Sequence, residues 1–260
     1  MGEWEYEVSR IIIDRYNRKL MNALRCDVLI TGAGPAGLVA GYYLAGNDVR
    51  VTIIEKKLAP GGGIWGGGME RNEVVVQEEA RFILDEIGIA VEPEGDGFYA
   101  LDAGTLASGL AFKALQEGAT LLNLVTVEDV MIEDKRLTGL VINATGVMLA
   151  RMHVDPLTLA ADAVMDGTGH DAVLASLVQS HGYKLDTETG SMKGQGPMEA
   201  QSAENFVVDN TRQVFPGLFL AGMSVAAVHG GPRMGPIFGG MILSGKKAAD
   251  MILEELRPKG

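Results

Sequence analysis

CDVLITGAGPAGLVAGYYLAGNDVRVTIIEKK, residues 26–57, decides the fold. Its apolar run Val28-Leu29-Ile30 reads as a strand, and Gly32-Ala33-Gly34-Pro35-Ala36-Gly37 as a tight turn that opens a helix over 36–45. VRVTIIE then reads as a second strand. Strand, glycine-rich turn, helix and strand within about 30 residues make a βαβ unit. In that order each glycine has a task. Gly32 permits the turn, Gly34 lets backbone approach a pyrophosphate, and Gly37 lets the helix pack on the strand. The helix N-terminus offers unpaired N–H groups and a positive dipole end to phosphates. Glu55 closes the second strand 23 residues after Gly32. A carboxylate there accepts hydrogen bonds from a ribose and repels the 2′-phosphate of NADP, although Lys56 and Lys57 follow it directly.

The motif alone does not separate NAD from FAD. Flavoproteins share the glycine turn, a later segment like Asp166-Gly167-Thr168-Gly169, and a strand like GLFLAG (217–222). In them that last strand usually runs into an Asp. Here it runs into Gly222-Met223, which counts against FAD.

Outward from this unit, residues 5–24 read as a helix, with Val8, Ile11, Ile12, Tyr16, Leu20 and Leu24 at three- to four-residue spacing. The glycine-rich segment PGGGIWGGG (60–68) precedes a helix near 76–87 and the turn-rich EPEGDGFYA (92–100). A helix is expected over 105–117, then strands in ATLLNLVTVEDVMIED and KRLTGLVINATGVML with a turn at Asp134 to Arg136. LTLAADAVMDGTGH reads as helix or strand. A strand at GLFLAG, a Gly/Pro loop over 228–240 and a helix over about 240–256 complete the chain. The fold class expected is α/β: a Rossmann-like dinucleotide-binding fold of the glutathione-reductase/flavoprotein type with additional β-strands. No linker or repeat divides the chain, so residues 1–260 are read as a single domain.

Composition narrows the function. Asp and Glu number 34 against 22 Lys and Arg, a net charge of −12, with no basic run. That argues against nucleic acid or an anionic membrane as partner. No apolar stretch reaches the ~20 residues of a membrane span, and the acidic N-terminus is unlike a signal peptide, so a cytoplasmic protein is expected. The single cysteine, Cys26, excludes an intrachain disulfide and reads as a small buried hydrophobe. Glycine is the excess: 35 residues, against roughly 7 per cent in average usage, and they fall in blocks.

Among four histidines, His181 reads as a surface residue and His229 as a residue of the glycine-rich loop. His153 lies in RMHVDP and His170 closes DGTGH. An Asp and a His on two loops can form an open Fe(II)-type site. By spacing alone, Asp155 and His170 match no metal box and read as a turn cap before Pro156 and a loop histidine. Arg233 in GGPRMG carries a planar guanidinium suited to gripping a carboxylate bidentately, among glycines that let a small ligand come close.

Taken together, GAGPAG, Glu55-Lys56, PGGGIWGGG, HVDP, GTGHDA and GGPRMGPIFGGM resemble the thiazole synthases of thiamine biosynthesis, and more narrowly their archaeal, sulfide-dependent members. The resemblance runs from about residue 5 to 255. It implies an enzyme that consumes NAD as substrate. Nicotinamide is expelled, the ADP-ribose isomerises and condenses with glycine, and sulfur insertion and cyclisation give an ADP-linked thiazole carboxylate. It implies Fe(2+) held by Asp155 and His170 from adjacent protomers of an octamer. His153, Asp155, His170 and Arg233 become the catalytic set, with Arg233 on glycine. Ala36, Glu55, Lys56, Gly63, Val127, His153, Val154, Asp155 and Met223 join Gly32, Gly34 and Gly37 around the nucleotide. Self-sacrificing members of the family carry a sulfur-donating Cys where this chain has His153. Free sulfide and many turnovers are therefore expected. Two other classes stay open: an FAD-dependent oxidoreductase and a non-catalytic NAD or ADP-ribose binder.

Overall fold

Alternate residues of two neighbouring strands fill opposite faces of one sheet. Val28, Ile30 and Ile53 pack into one core, Leu29 and Ile54 into another. The computed structural model describes residues 2–257. In it α1 (Glu3–Ala23) precedes β1 (Arg25–Thr31), α2 (Pro35–Ala45) and β2 (Val51–Glu55), the unit expected from residues 26–57. Next come β3 (Glu73–Gln77), α3 (Glu78–Ile87), β4 (Glu92–Gly95), β5 (Phe98–Asp102) and α4 (Ala103–Gln116). β6 (Thr120–Asn123), β7 (Val125–Glu133), β8 (Arg136–Ala144), a short α5 (Thr145–Leu149) and β9 (Leu157–Asp166) follow. The chain continues through α6 (Val173–Ser180), α7 (Ala200–Asp209), β10 (Gln213–Phe215), β11 (Leu218–Leu220), α8 (Met223–His229) and α9 (Gly239–Leu256).

The central sheet runs β10-β11-β9-β1-β2-β6, parallel from β11 to β6, with the antiparallel β7–β8 hairpin joined to β9. β1 and β2 are covered on both faces, which is why Val28-Leu29-Ile30 is an unbroken apolar run and Val51–Glu55 is buried throughout rather than at alternate residues. α2, α4 and α9 cover one face; the β7–β8 hairpin and α6 to α8 cover the other. A second, three-stranded antiparallel sheet, β3-β5-β4, stands apart. Gly32 sits at φ +99° in the turn after β1, and a Cβ on Gly37 would collide with the Gly32 carbonyl oxygen. Gly37 thus serves packing beneath the turn.

Several expectations are corrected. EPEGDGFYA is the β4–β5 hairpin, its turn carried by Asp96 and Gly97 at positive φ. The strand expected through Leu149 stops at Ala144, where α5 begins. LTLAADAVMD is strand: paired with β1, β8 and β11, it has partners on both edges, which decides between the two readings. The loop expected over 228–240 starts only after His229, because Met223–His229 is helical.

Where α7 meets α9 the fold buries a carboxylate. Glu204 is held by donors from Gln77 and the Gly240 backbone. Burial pushes its pKa up from 4.5 to about 7, against the pull of those two donors. The folded chain therefore keeps a proton that the unfolded chain releases, and stability falls as pH climbs from about 4.5 to about 7. The loss is on the order of 3 kcal/mol. Glu204→Gln should flatten that slope, measured as Tm against pH; an unchanged slope would assign it to other groups.

Candidate functional site

A cavity of about 730 Å³ opens at the C-terminal ends of β1, β2 and β9, where ligands enter open α/β sheets. The Gly32–Pro35 turn forms its floor. α2 begins there with Gly34 as its cap, no capping side chain, Pro35 at its first turn and no acid within that turn. Its first N–H groups are left for an anion. Glu55 is buried at the cavity edge. Its Oε2 accepts the Ala33 N–H at 2.9 Å and its Oε1 the Lys57 N–H at 2.8 Å. Two backbone anchors hold the carboxylate rigidly, with lone pairs left for hydroxyl donors. Lys56, Gly63, Val127 and Met223 also line the cavity, as do Gly32, Gly34 and Ala36. Gly37 does not.

Asp166, at the end of β9, is fully buried. Its Oδ2 accepts N–H donors of Leu174 and Ala175 at the start of α6, and its Oδ1 accepts the Thr168 N–H and hydroxyl. Burial outweighs these donors and raises its pKa. This anchor fixes the turn that carries Gly169, His170 and Asp171 into the cavity wall. The side-chain amide of Gln195 lies against His170 Nδ1, its Oε1 at 2.9 Å and its Nε2 at 2.7 Å. With the amide oxygen accepting an Nδ1–H, Nε2 carries no proton, the form a metal ligand needs. Asp171 pairs with Lys56 at 3.4 Å.

Arg233 enters the cavity from the loop before α9. Its backbone is tied to residues 197–199, through Arg233 N–H to Pro197 O at 3.2 Å and Glu199 N–H to Arg233 O at 3.1 Å. Among the described residues its guanidinium has no ion-pair or hydrogen-bond partner. A fixed backbone and a free planar fork suit a ligand carboxylate. Residues 195 and 198, which position His170 and line the cavity, escaped the sequence reading: GQGPM has no periodicity and no motif.

His153, Val154 and Asp155 lie outside the cavity of their own chain, exposed on the extended segment before β9. Asn143 Nδ2 donates to Val154 O at 3.0 Å and holds that segment to β8. Among the described residues of one chain, no group of three or more His, Cys, Asp or Glu is placed to hold a metal. Imidazole nitrogen and carboxylate oxygen are donors that Fe(II) accepts, so the pair fits iron provided a second copy of the chain brings Asp155 to His170. Cys26 is buried at the start of β1, its thiol donating to Val28 O, and burial pushes its pKa up. From residue 26 to the turn at 32 is about 20 Å along a strand. His181 is exposed and pairs with Asp129 at 2.7 Å, and His229 ends α8 without lining the cavity.

A family model described as the Thi4 family matches residues 9–238. The chain belongs to the Thi4 family. It is 51% identical over 252 residues to a thiamine thiazole synthase of Thermococcus kodakarensis, covering 97% of this chain and 98% of that protein. To the thiamine thiazole synthase of Methanothermobacter thermautotrophicus it is 47% identical over 254 residues, with 97% and 98% covered. The crystal structure of Thermovibrio ammonificans THI4 superposes with a TM-score of 0.95 at 47% identity, over 97% of this chain and 98% of that one. A probable FAD-dependent monooxygenase of Pseudomonas aeruginosa shares the fold, with a TM-score of 0.55 at 14% identity, over 91% and 88% of the two chains. The Thi4 fold is thus the flavoprotein-type α/β fold expected from the glycine turn. Among its described residues no helix is long and apolar enough to cross a membrane.

Proposed function

We propose that this Thi4-family chain makes an ADP-linked thiazole carboxylate from NAD, glycine and free sulfide, with Fe(II) held by Asp155 of one protomer and His170 of the next. The coarser part, thiazole synthesis for thiamine, follows from the family and its relatives. The observation that carries the finer part is the meeting, in one cavity, of a dinucleotide turn, an anchored Glu55, a His170 held at Nδ1 by Gln195, and an Arg233 whose guanidinium has no partner among the described residues.

The α2 N-terminus takes the pyrophosphate, and Glu55 accepts from the adenosine ribose hydroxyls. Val127, at the β7 edge of the cavity, lies where an adenine edge meets backbone. Arg233 holds the glycine carboxylate, which orients the amine toward the opened sugar after nicotinamide leaves. Bound Fe(II), borderline-soft, supplies a site for sulfide. His153 has no sulfur to give and Cys26 is at the far end of β1, so sulfur comes from outside and the enzyme turns over repeatedly. Two ligands from two chains require a closed homo-oligomer, an octamer by family resemblance, in the cytoplasm. A flavin oxidoreductase has only the shared fold in its favour, and Met223 stands where its carboxylate belongs.

Anaerobic incubation with NAD, glycine, Fe(II) and sulfide should release nicotinamide and yield the adenylated thiazole by mass analysis. No product, or product without sulfide, contradicts the proposal, and a yellow pure protein would favour flavin. NAD should bind more tightly than NADP. Glu55→Ala should weaken NAD by roughly 1.5–3 kcal/mol in titration calorimetry, through loss of a charge-assisted bond.

A further inference from the structure

Behind the loop that carries Arg233, Oε1 of Glu204 and Oε1 of Gln77 are buried and find no hydrogen-bond partner among the described residues. The other branch of each group is engaged. Gln77 Nε2 donates to Glu204 Oε2, and the Gly240 N–H donates to the same oxygen. A buried acceptor left without a donor costs free energy, and here two belong to one acid–amide pair. The end of the GGPRMGPIFGGM motif is shaped around that pair. A Cβ on Gly239 would overlap the Gln77 amide, and one on Gly240 would press on Glu204. Bare backbone thus lets acid and amide sit against the start of α9. Phe238, the cap residue of α9, supplies no side-chain hydrogen bond, so Glu204 caps this helix from α7.

The pair also closes a frame around the loop. Phe238 N–H donates to Val75 O at 3.0 Å, and Ile237 bridges Val75, in the strand that carries Gln77. At the loop's other end Arg233 bridges Met198, in the segment that leads into α7 and Glu204. So β3 holds one end, the approach to α7 holds the other, and the Glu204–Gln77 bond joins β3 to α7. Arg233, Met234, Gly235, Pro236 and Phe238 all line the cavity. A change in the frame is therefore felt at the guanidinium.

We propose that Glu204 is a positioning residue for Arg233, holding the 233–238 loop through a protonated carboxyl whose O–H donates to Gln77 Oε1. Acid and amide then form a ring of two hydrogen bonds, and each orphaned oxygen gains a partner. When the proton leaves to solvent, the two Oε1 atoms become facing acceptors with no donor between them, and the frame loosens on that side. Burial and the Glu79 carboxylate both favour the proton, which is kept up to about pH 7. Other charges on the packed elements are engaged or exposed. Lys247 of α9 donates to Val208 O and Asp209 O, Lys246 pairs with Asp250, and Arg81 of α3 pairs with Glu78 and Asp85. Glu73 of β3 and Glu199 and Asp209 beside or on α7 are exposed, and burial pushes His229 of α8 toward its neutral form. Glu204 has this role in catalysis only if Arg233 holds the glycine carboxylate, as proposed above.

Glu204→Gln copies the protonated acid: it keeps the shape, supplies the missing donor and cannot ionise. The full chain and this variant are compared at about pH 6 and about pH 8, on either side of the Glu204 titration. In the unmodified chain KM for glycine should rise roughly 10-fold between the two, with kcat changed far less. Glu204→Gln should hold the low-pH KM at both. An equal rise in the variant would assign the pH dependence elsewhere and overturn the role of Glu204. A second measurement needs neither glycine nor iron. Hydrogen exchange of the Phe238 and Gly240 amides is read as a ratio between the two proteins at one pH, so that intrinsic rates cancel. The unmodified chain should exchange about 10-fold faster than Glu204→Gln at the higher pH and equally at the lower. Equal protection at both would also overturn the proposed frame. If Arg233→Lys leaves glycine use intact, the clamp fails on its own account, and the exchange ratio still reports whether Glu204 holds the loop.

Discussion

Asp155→Ala and His170→Ala should each stop thiazole formation, by on the order of 10²–10³-fold or more, in mixtures where the unmodified chain makes many products per molecule. Each removes one of the two proposed ligands, and among the described residues of one chain no group of three or more His, Cys, Asp or Glu is placed to hold the metal instead. Stability should hardly change. Both residues are exposed, and Asp155 makes no side-chain hydrogen bond among the described residues. NAD should still bind, because Glu55 and the α2 N-terminus are untouched. Because the proposed ligands come from different copies, mixing the two inactive variants should restore part of the activity in shared sites. The protein's own mass must stay constant throughout turnover. Intact-mass spectrometry decides this: sulfur lost from Cys26 during turnover would overturn the use of external sulfide.

Arg233→Lys is expected to lower kcat/KM for glycine by roughly 10- to 100-fold, the cost of losing a charge-assisted bidentate grip. Lysine keeps the charge but loses the planar fork, and its stem hydrates differently. Since the Arg233 guanidinium has no protein partner among the described residues, the change breaks no internal ion pair, and the folded state should be as stable as before. NAD affinity should shift little. Unaltered glycine dependence, or a collapse of NAD binding with glycine use intact, would remove Arg233 from the role of carboxylate clamp.

The nucleotide half of the site is legible because it is local. Gly32, Gly34 and Glu55 act through the turn and two strands next to them, and spacing along the chain is also spacing in space. The other half is not local. Gln195 meets His170 from 25 residues away, and Asp166 pins its turn through α6 backbone that sequence periodicity did not mark. α8 was unread for a related reason. Met223 to Val228 are all buried, and a helix buried all round has no polar face to betray its period. EPEGDGFYA misled through its turn residues. Its strands are short, β4 is exposed throughout, and the pairing of β5 with β3 and of β4 with β5, rather than their own composition, makes them strands.

By itself, the amino-acid sequence determined the α/β fold, the glycine turn at the end of β1, the acid closing β2 and the membership of the Thi4 family. Those depend on short-range sterics: a positive φ at Gly32 and a helix that can lie on a strand only where Gly37 has no side chain. Only the tertiary structure decided which of the named residues share a space. His170, Arg233 and Glu55 come from three distant segments and line one cavity, whereas His153 and Asp155, in a motif just as distinctive, are exposed and do not line it. Parallel strands all deliver their C-terminal ends to one edge of the sheet, so residues after β1, β2 and β9 converge there. The segment before β9 enters at the opposite end of its strand, away from that edge, and only the proposed function gives it to a neighbouring molecule.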